Sequence, residues 1–417
     1  MGAGPAGLAA ALYLSRAGHK VTIFERFDEA KPLGSGLILQ PTGLTVLQDL
    51  GLLDDIFALG ARLERLHGVD ARSGRTVLDV RYDAIKGGRF GLGVHRAALF
   101  GVLHDAVRGA GVPLETATAL VDMDGAGVSA TICDASGRRY GGFDLVVDAS
   151  GARSVLRRHA IVPTEPRPLA YGAFWGALKW PGPPFPANAL VQRYDKASVM
   201  IGVLPIGRPD LTAEQMAAFF WSVRQDKVDG VKARGLNEWK AGILSYWPEC
   251  RPLLDQIDDF EQLSLARYAH HTLLAPVGRR LAVIGDAAHS TSPQLGQGGN
   301  MALLDARALA HAMQTEKTID DALERYAVAR RWHVRLFQAL SLLFTPFYQS
   351  DSRLLPLVRD QLVSIVARVP PSPQLIASMV AGTTMNPFKR LGLKETDWLR
   401  LAEDGRLGRP DQRPVSA

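Results

Sequence analysis

The sequence predicts an α/β fold in three parts: a Rossmann-like dinucleotide-binding domain, a second domain built on a β-sheet, and a helical C-terminal region. Three observations predict it. The chain opens MGAGPAGLAAALYL, where Gly2, Gly4 and Gly7 fit the G-x-G-x-x-G turn that leads into a helix. A second strand, glycine-rich loop and helix follow far downstream, over 279–313. Between them, Pro163, Pro166, Pro168 and the run PGPPFP (181–186) break the chain into short extended pieces.

Leu8, Ala11, Leu12 and Ser15 recur at helical spacing over 5–17, and Gly18 stops the helix. HKVTIFER (19–26) then reads as a buried strand ending in an acid, Glu25, which lies 18 positions after Gly7. Glycines let the backbone approach a pyrophosphate, and a helix N-terminus offers unpaired N–H groups to it. A carboxylate roughly 20 residues on accepts hydrogen bonds from ribose hydroxyls. Turn and strand end together nominate Gly2, Gly4, Pro5, Ala6, Gly7, Glu25 and Arg26 as nucleotide-binding residues.

In LGVHRAALFGVLHDAV (92–107), Arg96 opens an amphipathic helix, where a guanidinium can pair with a phosphate. Further on, RRLAVIGDAAHSTSPQLGQGGN (279–300) gives a strand over 279–285, Gly285-Asp286 at its end, a glycine loop, and a helix from about Asn300. It reads as a second segment returning to the same nucleotide.

Composition excludes several classes. The 48 basic and 42 acidic residues leave a net charge of +6, scattered without a basic run, so no nucleic-acid groove is expected. Cys133 and Cys250 cannot build a disulfide framework, and a cytoplasmic location fits them. His270 and His271 are adjacent and would point oppositely along a strand, so no metal site is expected. No G-x-S-x-G supports serine-hydrolase chemistry.

The glycine turn (2–7), FDLVVDASGARSVLRR (143–158) and GDAAH…PQLGQGGN (285–300) together resemble the single-component FAD-dependent aromatic hydroxylases. That flavoprotein monooxygenase group includes the para-hydroxybenzoate and ubiquinone-pathway hydroxylases. The resemblance covers roughly 2–340 and implies FAD as resident cofactor, with NAD(P)H as reductant. It implies that Arg96 contacts the pyrophosphate, Val121 lies near the adenine, and Asp286 bonds the ribitol chain. Gly296, Gly298, Gly299 and Asn300 would face the pyrimidine end of the isoalloxazine, and Pro293 its substrate side.

Two features depart from that family. Its members carry a short apolar run before the glycine turn, forming a central strand; here only Met1 precedes it, and the expectation is that the native protein begins upstream. Many members also have Asp-Gly where this chain has Ser150-Gly151. Direct use of NAD(P)H is therefore in question, and an aspartate at position 150 is expected to be tolerated.

The middle of the chain reads as a substrate domain. YGAFWGALKW (171–180) and NALVQRYDKASVMIGVLPIG (188–207) read as strands, and TAEQMAAFFWSVRQD (212–226) as a helix. Gln40, Trp175, Gln192, Tyr194, Trp221 and Pro293 are the candidate substrate-lining residues; the four from this domain either line a pocket or belong to its core. The domain borders expected are 1–70, 90–165 and 265–340 for the FAD-binding domain, 71–89 and 166–264 for the substrate domain, and 341–417 for the helical region. In the last, Leu354, Leu355, Leu357, Val358, Leu362, Ile365 and Val366 form an apolar stripe, and a mobile tail follows Leu401. The stripe is read as a cap on the FAD domain or on a dimer mate, in preference to a membrane contact.

The reaction implied is insertion of one oxygen atom of O2 into an electron-rich aromatic or unsaturated small molecule by way of a flavin hydroperoxide. Two rival activities stand beside it. A reductase of isoprenoid-type double bonds shares the DASG form. A flavin halogenase would need a W-x-W-x-I-P stretch, which WGALKWP (175–181) is not. A flavin-binding protein without turnover is a further alternative. The expected assembly is a monomer or homodimer acting on a small molecule.

Overall fold

Helix Pro5–Arg16 starts with proline at its first position, where a missing N–H goes unneeded, and buries Ala6 and Leu8 to Leu14. It packs against helices Gly298–Thr315 and Arg96–Gly109, the heart of the dinucleotide domain. This is a computed structural model of the protein, and it describes residues 1–30, 34–352, 354–356, 358–359, 361 and 369–404.

Two parallel strand pairs lie beside the first helix: Ile23–Phe24 with Leu114–Glu115, and Val146–Asp148 with Leu281–Val283. Met1 and Gly2 sit between them and bond to both. The Met1 ammonium donates to the Val147 carbonyl at 2.7 Å, Ala149 N–H donates to Met1 O at 2.9 Å, and Gly2 N–H donates to Phe24 O at 2.8 Å. Of the strand expected over 19–26, only Ile23 and Phe24 pair as ladder, because their partner strand is equally short. The strand expected over 279–285 is Leu281–Val283, and the following helix starts at Gly298.

The second domain is a seven-stranded sheet in the order Ser264–His270, Arg167–Lys179, Met216–Arg224, Val199–Pro205, Ala189–Asp195, Arg65–Asp70, Thr76–Arg81. It corrects the sequence reading in two ways. Residues 216–224 form a strand, not a helix. Both faces of this strand are covered, so MAAFFW is an unbroken apolar run and shows no two-residue period. The sheet also includes Arg65–Asp70 and Ser264–His270, beyond the borders expected at 70 and 265. Strand pairing joins segments distant in sequence, and composition does not mark where it ends.

One face of the sheet packs Phe174, Phe219 and Val223 against Trp239, Ile243 and Trp247 of the helices that follow it. The other face, with Trp175, Phe220, Met200 and Tyr194, turns toward the dinucleotide domain and the C-terminal helices.

Helix Ile319–Tyr348 runs through the border expected at 340. Helix Trp398–Glu403 docks back on the dinucleotide domain: Trp398 meets the Phe90 ring edge-on at 5.3 Å, and Arg89 pairs with Glu395 at 2.6 Å. Leu401 is therefore buried, and the tail expected to be mobile from there lies outside the described residues from 405 on. Of the predicted apolar stripe, Leu354 and Val358 are exposed, whereas Leu357, Leu362, Ile365 and Val366 lie outside the described residues. Among the described residues no helix is long and apolar enough to cross a membrane.

Candidate active site

The three glycines of the opening turn do different work. A Cβ on Gly7 would lie 1.9 Å from Gly2 O, and one on Gly2 would lie 2.6 Å from Ala149 O. Both are packing constraints, and Gly2 also holds a φ of +93°. Gly4 has nothing within 4 Å of its would-be Cβ, so it faces open space. It also N-caps its helix with no side-chain bond, leaving the first N–H groups unclaimed by a capping side chain. An open glycine backed by two crowded ones, at a helix start, is a cradle that fits a pyrophosphate.

Glu25 lies beside this cradle, nearly buried. One carboxylate oxygen accepts from Ala3 N–H at 2.8 Å and the other from Phe27 N–H at 3.2 Å. Arg26 is exposed, its guanidinium over the Phe27 ring at 4.6 Å. Thr118 and Ala117 bond to Glu25 and Phe27 backbone, and the strand they lead into carries Val121, which is exposed.

Arg96 opens its helix behind His95, whose Nδ1 accepts from Ala97 N–H at 3.1 Å. Burial holds the His95 pKa below the usual value, which keeps the ring neutral and able to accept. The Arg96 side chain lies across Gly34, where a Cβ would come within 3.0 Å of its Cδ. It is solvent-exposed, yet enclosure by surrounding atoms lowers its pKa, while Asp286 and Tyr268 nearby act to raise it. A guanidinium surrounded by protein but open to water lines a cleft.

Asp286 is exposed at the mouth of the same cleft, just after Gly285, where a Cβ would lie 3.2 Å from Ala6 Cβ and 3.3 Å from Ala302 Cβ, so the first helix and the second glycine segment pack closely there. Pro293 heads a single 3-10 turn, Pro293–Leu295, which Gly296 ends with a left-handed φ of +61°. The helix from Gly298 has no side-chain N-cap and no acid in its first turn, so its free N–H groups suit a partner carrying negative charge. Gly298 and Gly299 lie at this start. Asn300 is fully buried, and its side chain is spent on backbone: it accepts from Gln40 N–H at 2.7 Å and donates to Ile38 O at 3.0 Å and Gly296 O at 2.9 Å.

Beneath this loop, Asp305 accepts from Gly285 N–H at 2.9 Å, from Arg330 at 2.6 Å and from the His289 ring. Burial works against its ionisation, but His289 and Arg330 outweigh that and hold its pKa at about 2. His289 is thus a buried support of the loop.

The candidate substrate residues do not all meet. Trp175 and Phe220 share the inner face of the sheet, ring centroids 4.5 Å apart. Trp221 pairs with Phe174 on the opposite face, stacked at 6.2 Å in the outer core, because a strand alternates its side chains. The helical reading of 212–226 had hidden this. Gln40 is 0% exposed: its Oε1 accepts from Tyr82 OH at 2.7 Å, while its Nε2 has no hydrogen-bond partner among the described residues and lies 3.5 Å from where a Cβ on Gly296 would sit. Gln192 and Tyr194 share the inner face with Trp175.

Sequence reasoning missed Tyr268. Its hydroxyl accepts from Trp175 Nε1 at 2.8 Å, and it lies close enough to Arg96 to interact electrostatically. Burial pushes its pKa up to about 12, so it stays protonated, with its own hydrogen free to donate. SLARYAH (264–270) shows no two-residue alternation, in sequence or in burial, so no periodic signal pointed to it. Ser150, expected near NAD(P)H, instead donates to Asp148 Oδ1 at 2.5 Å, and Ser154 donates to the other oxygen of that buried carboxylate. An aspartate at position 150 would set a second carboxylate beside that of Asp148.

A family model described as an FAD binding domain matches residues 1–338. The chain belongs to this FAD-binding family. Within it, the chain is similar to an FAD-dependent urate hydroxylase of Mycolicibacterium vanbaalenii, 28% identical over 340 residues, covering 79% of this chain and 83% of that protein. It is also similar to a 3-amino-4-hydroxybenzoate 2-monooxygenase of Streptomyces cremeus, 29% identical over 319 residues, covering 74% and 76%. Klebsiella pneumoniae HpxO, solved with FAD and uric acid, shares the fold at a TM-score of 0.77, with 22% identity over 93% of this chain and 96% of that one. The protein is thus an FAD-dependent oxidoreductase of the single-component aromatic hydroxylase group, a flavoprotein monooxygenase with FAD as its cofactor. Among the described residues no cluster of side chains could hold a metal ion.

Proposed function

We propose that this monooxygenase hydroxylates a planar, electron-rich aromatic small molecule held between the 291–299 loop and the inner face of the seven-stranded sheet. One observation carries the reading. Arg96, from the dinucleotide cleft, and Tyr268, from the sheet, lie within electrostatic reach, and Trp175 bonds Tyr268. The aromatic wall of the sheet therefore faces the cofactor cleft.

The open cradle at Gly4, the carboxylate of Glu25, the exposed Asp286 and the cleft-lining Arg96 supply donors and acceptors suited to FAD. Arg96 would hold the pyrophosphate, Glu25 the ribose hydroxyls, Asp286 the ribitol chain, and the helix start at Gly298 the electron-rich end of the ring system. Bound FAD supplies the activation of dioxygen. This chain's residues bind, orient and exclude water. Trp175 fixes the Tyr268 hydroxyl, which donates to a heteroatom of the substrate, and Phe220 offers a flat apolar surface beside it. NAD(P)H is the proposed reductant. Urate and aminohydroxybenzoate, named for the relatives, fit the planar class.

Substrate-dependent NAD(P)H oxidation matched by oxygen uptake, with a product 16 mass units heavier, is the result expected from the chemistry. A product that gains two hydrogens and consumes no oxygen would replace this reading with the double-bond reductase.

A further inference from the structure

We infer that Gln192 reads the polar edge of the substrate, and that this substrate is a neutral ring presenting a lactam-type N–H beside C=O, in preference to an aromatic carboxylate. The inference rests on the reading of the inner sheet face as the substrate wall.

Gln192 is 6% exposed, and its side-chain amide has no hydrogen-bond partner among the described residues. Its amide atoms are nonetheless not sealed in packed core, since neither is a fully occluded orphan. A nearly buried amide left unpaired is costly and needs an explanation. Here the surroundings supply one. Gln192 lies in register with Gly202, then Phe220, then Trp175, across four neighbouring strands. A Cβ on Gly202 would fall 2.0 Å from the Phe220 ring, so that ring lies flat over the glycine and points the apolar wall toward the amide. The wall therefore runs from Tyr268 and Trp175, through one aromatic surface, to the unpaired amide of Gln192.

The inner face carries no formal charge over Ala173–Ala177, Ala218–Ser222, Met200–Leu204 and Leu190–Tyr194. Arg193 points to the other face, over the Trp247 ring at 4.6 Å. Arg359, a buried cation on this side, lies over the Tyr194 and Tyr348 rings at 5.4 and 5.3 Å and donates to Phe347 O at 2.9 Å. A carboxylate on the substrate offers acceptors only, so it would pair with the amide N–H groups and leave the Gln192 amide oxygen without a donor. A primary amide sets an N–H donor beside a carbonyl acceptor. Both are satisfied at once by a partner with the reverse pair side by side, which is the edge of a lactam.

The test uses the full FAD-loaded chain, titrated while its flavin absorbance is followed. Three probes share one bicyclic frame: quinolin-2(1H)-one, its N-methyl analogue, and quinoline-2-carboxylate. In the wild type the lactam should bind about tenfold or more tighter than either of the others, because the site's polar group is left unpaired by them. Gln192→Leu should bring the lactam and its N-methyl analogue within about twofold of each other, with FAD affinity and melting temperature unchanged. Gln192→Glu, which keeps the acceptor and loses the donor, should also weaken the lactam. Equal binding of lactam and N-methyl analogue to the wild type would overturn the inference. So would tightest binding of the carboxylate, a preference that survives Gln192→Leu, or failure of all three to perturb the flavin. Each of these outcomes leaves the monooxygenase reading standing, because that reading fails only on the oxygen stoichiometry and product mass described above.

Discussion

Asn300 and Gln40 are 260 positions apart, yet Asn300 Oδ1 accepts a hydrogen bond from the Gln40 backbone N–H at 2.7 Å. Its Nδ2 donates to Ile38 O and Gly296 O, so one buried side chain clamps the strand Gly36–Leu39 to the glycine loop. Asn300→Ala strands one N–H and two carbonyls in a dry site. It should cost about 2–4 kcal/mol of stability and weaken FAD binding through the displaced loop. Thermal melts of the apo protein and FAD titration measure the two effects; an unchanged melt would show that the clamp is dispensable.

The glycine turn gives a paired expectation. Gly7→Ala drives a Cβ into Gly2 O and should destabilise the fold itself, by about 1–3 kcal/mol or more. Gly4→Ala meets no protein atom and should cost the apo fold no more than about 1 kcal/mol as a lost N-cap preference, yet reduce FAD affinity. If Gly4→Ala binds FAD normally, the open cradle is not where the pyrophosphate sits.

Asp286→Ala separates cofactor binding from folding in the same way. The side chain is exposed and makes no hydrogen bond among the described residues, so stability should hold. FAD affinity should fall by about one to two decades, the worth of a charged hydrogen bond of roughly 1.5–3 kcal/mol. Equilibrium titration with FAD decides, and an unaltered dissociation constant would remove Asp286 from the site.

Ser150→Asp should lower the melting temperature and should not speed reduction by NAD(P)H. The serine hydroxyl is already given to the fully buried Asp148, and a second carboxylate there is repelled. Stopped-flow reduction that accelerates in a variant as stable as the wild type would contradict this.

His333 sets a pH dependence. It is buried, its Nε2 faces Gly382 O at 3.1 Å, and its Nδ1 faces Arg330 at 3.3 Å. Burial, with Arg330 adding to it, lowers its pKa to about 3. The unfolded imidazole takes up a proton at about 6.5 and the folded one does not, so the stability is fully present above that value and drains away as pH falls toward about 3. The slope approaches about 1.4 kcal/mol per pH unit. His333→Gln should flatten the fall between pH 7 and pH 4 in denaturant titrations; parallel curves would show that this histidine is not the source.

Residue types that constrain the backbone were legible from the sequence alone. Gly2, Gly4 and Gly7 before an alanine-rich helix, Glu25 at a strand end, and Gly285-Asp286 before a glycine loop each state a local requirement: a positive φ, a close approach, a free helix start. That is why the family and its cofactor, FAD, were legible there. What the tertiary structure decided was the direction of side chains. MAAFFW is apolar on both faces because both are covered, so neither its strand character nor the separation of Trp221 from Trp175 shows in its pattern. Tyr268 reaches the cleft only because its strand pairs with the one carrying Trp175. The Gln40 carbonyl is claimed by Tyr82, and Asn300 is turned inward by Gln40 and Ile38. Such pairings depend on which distant segments pack together, and sequence periodicity carries no information about the partner.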